Sequence, residues 1–379
     1  MPSRTKSELQ KFAAADLSRF GQSLLIAAGL AKDRAHDVAE VLLEADLLGH
    51  TTHGLALLPA YLKELKNGKM RRTGEPKLVA DHGSAFTWDG CYLPGQWLVR
   101  RAIATARERL TRHSVVTAVI RRSHHIGCLE AYLQRVTDAG ILIWLTCSDP
   151  NSRTVAPHGG IAPRYSPNPI AVGIPTDANP ILIDISTSST SNALCNRLAA
   201  AKERLPGKWL VDKNGTATDD PRVLSKGGAL LPLGGLDLGY KGFALGIFVE
   251  ALTNALSGHG RANDDQRWGA SVFLQIIDPK CFGGRAAFLR EMSFFVESCR
   301  ATAPRRRESS MRLPGQAALA RRREQLVHGV ALHPTILPSL IPWAKEFGIA
   351  LPSCSRRKKY FRNGKTGLRT LPDRTKRRH

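Results

Sequence analysis

Four short stretches of the chain hold the residues best suited to chemistry. GHTTHGLALLPAY (Gly49–Tyr61) sets two histidines among threonine hydroxyls. RRSHHIGCLEAY (Arg121–Tyr132) places two more side by side at the close of a strand-like run. Histidine changes charge nearer neutral pH than any other unperturbed side chain, so rings held beside hydroxyls suit proton transfer. TCSDP (Thr146–Pro150) offers small hydroxyls and backbone groups at the end of a strand-like run, where ligand-binding loops commonly sit. GYKGFAL (Gly239–Leu245) surrounds a lysine with glycines where a long apolar helix begins. Backbone N–H groups, the helix dipole and the lysine together favour an anion such as a phosphate there. Taken singly, each stretch also has an ordinary structural reading: a polar loop, a core histidine, a helix-start lysine.

The elements that must position these groups follow from periodicity. Asp16–Ala28 and Asp33–Leu48 read as helices, the second carrying Val38, Val41, Leu42, Ala45 and Leu48 at helical spacing. Leu58, Tyr61, Leu62 and Leu65 form a third helical face that stops at Gly68. Phe86–Cys91, Ser114–Ser123, Ile141–Ser148, Ile170–Pro175, Ile181–Ser186 and Ala270–Asp278 read as strands. Leu98–Leu110, Leu129–Ala139 and Gly239–Ser257 read as helices, and most of the chain from there to Pro352 does too, apart from a loop at Ala303–Gly315. Strands fill the middle of the chain and helices both ends, without the regular alternation of a doubly wound parallel sheet. No G-x-G-x-x-G follows the first strand, so the common dinucleotide fingerprint is absent.

Composition narrows the class. The chain has 379 residues, 42% hydrophobic and 23% charged, ordinary for a globular protein. No stretch approaches the roughly 18 apolar residues of a membrane span, and the N-terminus has no apolar core of a secretory signal. The seven cysteines are scattered and odd in number, which argues against a disulfide framework or a zinc site and for a reducing, cytoplasmic setting. The net charge is +23, but residues 355–379 hold eleven Lys/Arg and one Asp, so +10 of it lies in the last 25 residues. That tail has the composition of a solvated, disordered arm, and any nucleic-acid contact is expected through it alone.

In order along the chain, these stretches and several others (PGQW at Pro94, SDPNSRTVAPHGG, NPIAVGIP, LIDISTSS, PGKWLVDKNG, LPGQ at Leu313) resemble the malate/L-lactate dehydrogenase family with a non-Rossmann nicotinamide-binding fold. The likeness covers about residues 8–352. It implies an α/β, α+β-like protein: a largely antiparallel central sheet that binds NAD or NADP, plus a helical part built from both chain ends. It divides the chain into helical residues 1–80, β-rich residues 81–280, C-terminal helices 281–352 and a basic tail 353–379, and it implies a homodimer. The implied activity is hydride transfer between the nicotinamide and a small 2-hydroxy or 2-oxo acid. On the residues that match, His53 is the general acid/base, Thr52 its hydroxyl partner and His125 the ring facing substrate or nicotinamide. His124 is the structural neighbour. Ser148, Asp184, Ile185, Ser186 and Lys241 would contact the cofactor and Asn168 the substrate, with no metal.

Three motifs depart from the family pattern, at four positions, all on the substrate side. Leu57 stands where an arginine usually grips the substrate carboxylate. Pro167 replaces a threonine, and a proline has neither hydroxyl nor N–H to offer. Ala193 and Leu194 replace a glycine and a polar residue. A charge-assisted hydrogen bond contributes about 1.5–3 kcal/mol, so the missing arginine calls for a substitute, and Arg122 and Arg153 are the candidates. The departures leave two alternatives to a working dehydrogenase: a catalytically impaired nucleotide-binding homologue, or a nucleic-acid binder acting through the basic tail.

Overall fold

A computed structural model describes residues 10–263, 266–305 and 311–354; the basic tail from residue 355 lies outside the described residues. The central sheet has seven strands: β1 Lys77–Asp81, β2 Ala85–Asp89, β3 Val115–Ser123, β4 Leu142–Ser148, β5 Ile170–Ile174, β6 Ile181–Ile185 and β7 Ala270–Ile277. Their order is β1-β2-β3-β7-β4-β5-β6. Every pairing is antiparallel except β2 with β3, which the helix Gly95–Arg109 connects as a parallel crossover. The expected largely antiparallel sheet is therefore present. Buried and half-buried residues alternate along Ile170–Ile174 and most of Leu142–Ser148, the edge strand Lys77–Asp81 is largely exposed, and β7, paired on both sides, is buried at Ala270 to Leu274 and again at Ile276.

Two large apolar cores, with two smaller clusters beside them, hold the described residues together. One lies between the sheet and its helices, joining Trp88, Ile120, Leu145 and Leu274 to Leu98 and Val99, and drawing in Val41 and Leu319 from the two chain ends. The other is mainly helical and joins residues from both ends, among them Leu24, Leu42, Leu62, Leu332 and Leu340. Each such fully buried side chain contributes about 1.5–3 kcal/mol. The face expected on the second helix, Val38 to Leu48, is buried throughout. The basic triplet Arg321–Arg323 is tied down on the helix Gln316–His328: Arg321 donates to the Leu48 carbonyl (2.9 Å), Arg322 to Glu44 (2.5 Å) and Arg323 to Asn179 (2.9 Å).

Two expected helices differ from what forms. Leu129–Ala139 is broken into a 3-10 turn at Glu130–Tyr132 and a single turn at Gln134–Thr137. The Glu130 N–H is taken by the Asp184 carboxylate (2.9 Å) and the Tyr132 hydroxyl by the Ile126 carbonyl (2.5 Å), so tertiary partners replace the helical ladder at its start. The helix expected from Gly239 starts earlier, at Gly235, and passes into a π-helical turn at Ala251–Ala255.

Candidate active site

Two close backbone approaches bring the histidine loops together. A Cβ on Gly54 would lie 2.3 Å from the Asp46 carboxylate, so only glycine lets the His53 loop settle on the helix that carries Asp46. Asp46 then accepts the Leu55 N–H (2.7 Å). Gly95, in PGQW, likewise lies against the His124–His125 backbone: a Cβ there would meet their carbonyl oxygens at 2.3 and 2.6 Å. The motif thus seats its helix under the HHIG turn.

A cleft of about 450 Å³ opens where these loops meet the sheet, lined by His50, His53 and His125 among others. His53 and His125 lie with ring centroids 6.3 Å apart and 24° between planes. Trp268 covers His125 at 4.9 Å. The His53 Nδ1 meets the Thr52 hydroxyl at 2.9 Å, as expected. The His125 Nδ1 has two partners, the Gly127 N–H (3.2 Å) and the Tyr61 hydroxyl (2.7 Å). An amide N–H can only donate, so this Nδ1 carries no proton, and the ring holds its proton on Nε2. Tyr61 accepts in turn from Gln96 Nε2 (2.8 Å), and both residues are fully buried. Burial, with the neighbouring His53 and His124 rings, pushes His125 well below the usual histidine range. Burial, with His50 and Arg197 adding, brings His53 down to about 4. Both rings are neutral at physiological pH.

A second cavity of about 530 Å³ shares His50 and Asp184 with the first and continues to Arg312, Pro314, Gly315 and Arg321. At the junction His50 Nε2 lies 2.5 Å from Glu130. Burial alone would lower the His50 pKa, but the Glu130 hydrogen bond and Asp184 outweigh it and raise it. Asp184 itself is pushed up by burial.

The sequence-assigned residues fall into three groups. His53, His125, Asp184, Ser186 and Asn168 line the first cleft, Asp184 and Ile185 the second, and Thr52 stands behind His53. Ser148 and Asn168 are tied into a buried network: Ser148 bonds Glu250 (2.8 Å) and Arg261 (3.0 Å), and Asn168 donates to Glu250 (2.8 Å) and the Gly246 carbonyl (3.1 Å). The Ser148 side chain lines neither cavity, while its neighbours Cys147 and Asp149 line the first. Lys241 is exposed, lines neither cavity, and has the Tyr240 ring at 5.9 Å.

On the substrate side Leu57 and Pro167 line the cleft, and Leu194 instead packs among Val155, Tyr165 and Cys195. Arg122 is not free to replace the missing arginine, because Asp89 holds it through Nε (3.0 Å) and NH2. Arg153 is exposed and absent from the lining. Among the described residues, no arginine or lysine lines the first cleft. Sequence reasoning did not assign Tyr61, Gln96, His50 or Glu130, although all four lie inside the stretches GHTTHGLALLPAY, PGQW and RRSHHIGCLEAY. It also passed over Trp268, which no quoted stretch contains.

The lining accommodates a nicotinamide cofactor. The Asn192 Oδ1 is buried at the cleft wall without a partner, an acceptor open to a carboxamide N–H, and the second cavity adds the cations a pyrophosphate requires. Comparison with known proteins agrees. Residues 12–341 match the family model described as malate/L-lactate dehydrogenase. The chain is 30% identical over 352 residues to an L-lactate dehydrogenase of Cupriavidus necator, covering 90% of this chain and 99% of that protein. Its fold is similar to malate dehydrogenase from Entamoeba histolytica (TM-score 0.85, 22% identity, 91% and 100% of the two chains). It is also similar to delta1-piperideine-2-carboxylate reductase from Pseudomonas syringae (TM-score 0.78, 26% identity, 88% and 100%). With its motifs, its sheet and its paired histidine loops all in place, the chain belongs to the malate/L-lactate dehydrogenase family.

Proposed function

We propose that this chain interconverts a small 2-hydroxy acid and its 2-oxo acid with NAD or NADP, and that protonated histidine meets the substrate carboxylate in place of a fixed arginine. The observation that carries this is the first cleft itself, in which, among the described residues, only His50, His53 and His125 can become cationic. Bound nicotinamide would supply or accept the hydride. His125 offers a fixed Nε2–H, which stabilises the charge developing on the substrate oxygen. The Nδ1 of His53 faces only a hydroxyl, which can either donate or accept, so this ring is free to exchange its proton and serves as the general acid/base. Asp184, Ser186 and Asn192 would hold the nicotinamide end, and Arg312 and Arg321 the phosphates.

An anion in the cleft favours protonated imidazole. Substrate binding therefore takes up a proton at His53, the ring that meets the carboxylate as well as exchanging the proton, and affinity rises as the pH falls toward its free value of about 4. Titration with NADH and NADPH, followed by nicotinamide fluorescence, identifies the cofactor. The KM for a panel of 2-oxo acids against pH then tests the carboxylate reading. A KM flat from pH 5 to 8 would point to a fixed cation instead, while absent binding of both cofactors would reject the dehydrogenase reading.

The seven free cysteines support a cytoplasmic setting, and among the described residues no helix is long and apolar enough to cross a membrane. Exposed Leu236, Leu238, Tyr240, Ile247, Phe248 and Leu256 put an apolar face on the helix Gly235–Glu250 and the turn after it, which supports a homodimer.

A further inference from the structure

We infer that His50, Cys128, Asp184 and Glu130 form a binding site for a divalent transition-metal ion of the zinc class, at the junction of the two cavities, and that an ion there competes with the cofactor. This proposal is independent of whether the chain turns over any acid.

Three ligand atoms, one each from His50, Cys128 and Asp184, lie within 4.8 Å of one another. The Cys128 Sγ and Asp184 Oδ2 are 3.6 Å apart. Zinc bonds of about 2.3 Å to sulfur and 2.0–2.2 Å to oxygen place two tetrahedral ligands about 3.5 Å apart, so this pair already has the required spacing. His50, its side chain 35% exposed, has room to close the remaining gap.

Glu130 supplies a separate observation. Its side chain is 5% exposed, Oε2 reaches His50, and Oε1 is buried with no partner. Buried carboxylate oxygens are normally satisfied, and this orphan sits on the carboxylate that holds His50, beside the group of three ligand atoms, so Glu130 is free to turn onto an ion bound there. His50 exchanges its Glu130 hydrogen bond for the metal, and Glu130 becomes the fourth ligand. The site is reached from both sides, since His50 and Asp184 line each cavity. Nitrogen, sulfur and oxygen donors together select zinc-like ions over magnesium or calcium.

Without metal the cluster holds its own protons. Burial, with Asp184 and Glu130 nearby, keeps the Cys128 thiol protonated, and His50 is held above its ordinary value. Metal binding must expel the thiol proton and any proton on His50, so affinity rises with pH. This contrasts with the acid-favoured substrate binding proposed above.

The test is a titration of the whole chain with cobalt(II), reading the near-ultraviolet thiolate-to-cobalt charge-transfer band, with melting temperature as the folding control. A single saturable site is expected, its band lost in Cys128→Ser and its affinity about tenfold or more weaker in Glu130→Gln. Zinc should weaken NADH binding in the wild type and leave it unchanged in Cys128→Ser. A band that survives Cys128→Ser in the folded protein, or no band at all, overturns the site. If Cys128→Ser does not fold, His50→Gln serves in its place, and a cobalt affinity equal to wild type in that variant would also overturn it. Either failure leaves NADH binding, and with it the dehydrogenase reading, standing.

Discussion

The two cavities meet at His50 and Asp184 but control charge in opposite ways. The first is lined by Leu57, Pro167, Trp268 and the His53 and His125 imidazoles, which burial holds neutral. The second carries the guanidinium groups of Arg312 and Arg321. The difference matches the two tasks. A group that moves protons must be able to be neutral, and burial arranges that. A group that holds phosphates must never lose its charge, and an arginine beside open solvent ensures it.

The largest effects should come from the neutral end. His53→Ala and His125→Ala should each lower turnover by about 10²–10⁴-fold, with NADH binding kept, as single-turnover kinetics and fluorescence would show. Were both variants fully active, the chemistry would have to lie elsewhere. Leu57→Arg puts a permanent cation where only titrating rings now stand. It should lower the KM for a 2-oxo acid by about ten- to a hundredfold and flatten its dependence on pH, erasing the contrast between the cavities.

Tyr61→Phe removes one donor from the His125 Nδ1 and leaves Gly127. It should cost about tenfold in kcat with little change in KM, and nitrogen NMR should show the Nδ1–H tautomer gaining population. At the cationic end, Arg312→Ala should weaken cofactor binding about tenfold and make the remainder less sensitive to salt, leaving kcat at saturating cofactor unchanged.

The smallest effect concerns stability. Burial raises Asp46 to about 7, so the folded state keeps a proton that the unfolded chain releases near 4. Asp46 therefore makes the protein less stable as pH rises from about 4 to about 7. Melting curves across that window should show a shallower decline in Asp46→Asn, whose amide oxygen still accepts the Leu55 N–H. An unchanged slope would remove Asp46 from the account.

The sheet strands and the histidine loops could be read from the chain because alternation and turn residues mark them locally. The partners could not. Nothing in Ala85–Asp89 says that it runs parallel to Val115–Ser123, since periodicity reports which faces are buried and not what covers them. Ser148 was legible as a polar group at a strand end, yet its hydroxyl turns inward to Glu250 and Arg261, residues 102 and 113 positions away. Lys241 fits a phosphate site by local pattern but faces outward on its helix. The Gln96–Tyr61–His125 chain lay within three quoted stretches and stayed invisible, because only the fold brings those stretches together.

The pairing of Lys11–Phe12 with Val330–Ala331 closes the molecule on itself. Nearly the whole polypeptide must leave the ribosome before that strand pair can form. The sheet core can assemble earlier, while the helical layer bearing the His53 loop waits for the last helices, Gln316–His328 and Ile336–Phe347, to dock. A nascent chain stalled before residue 316 would therefore hold a folded sheet and an unfinished active site, so catalytic competence must wait until those two helices have been made.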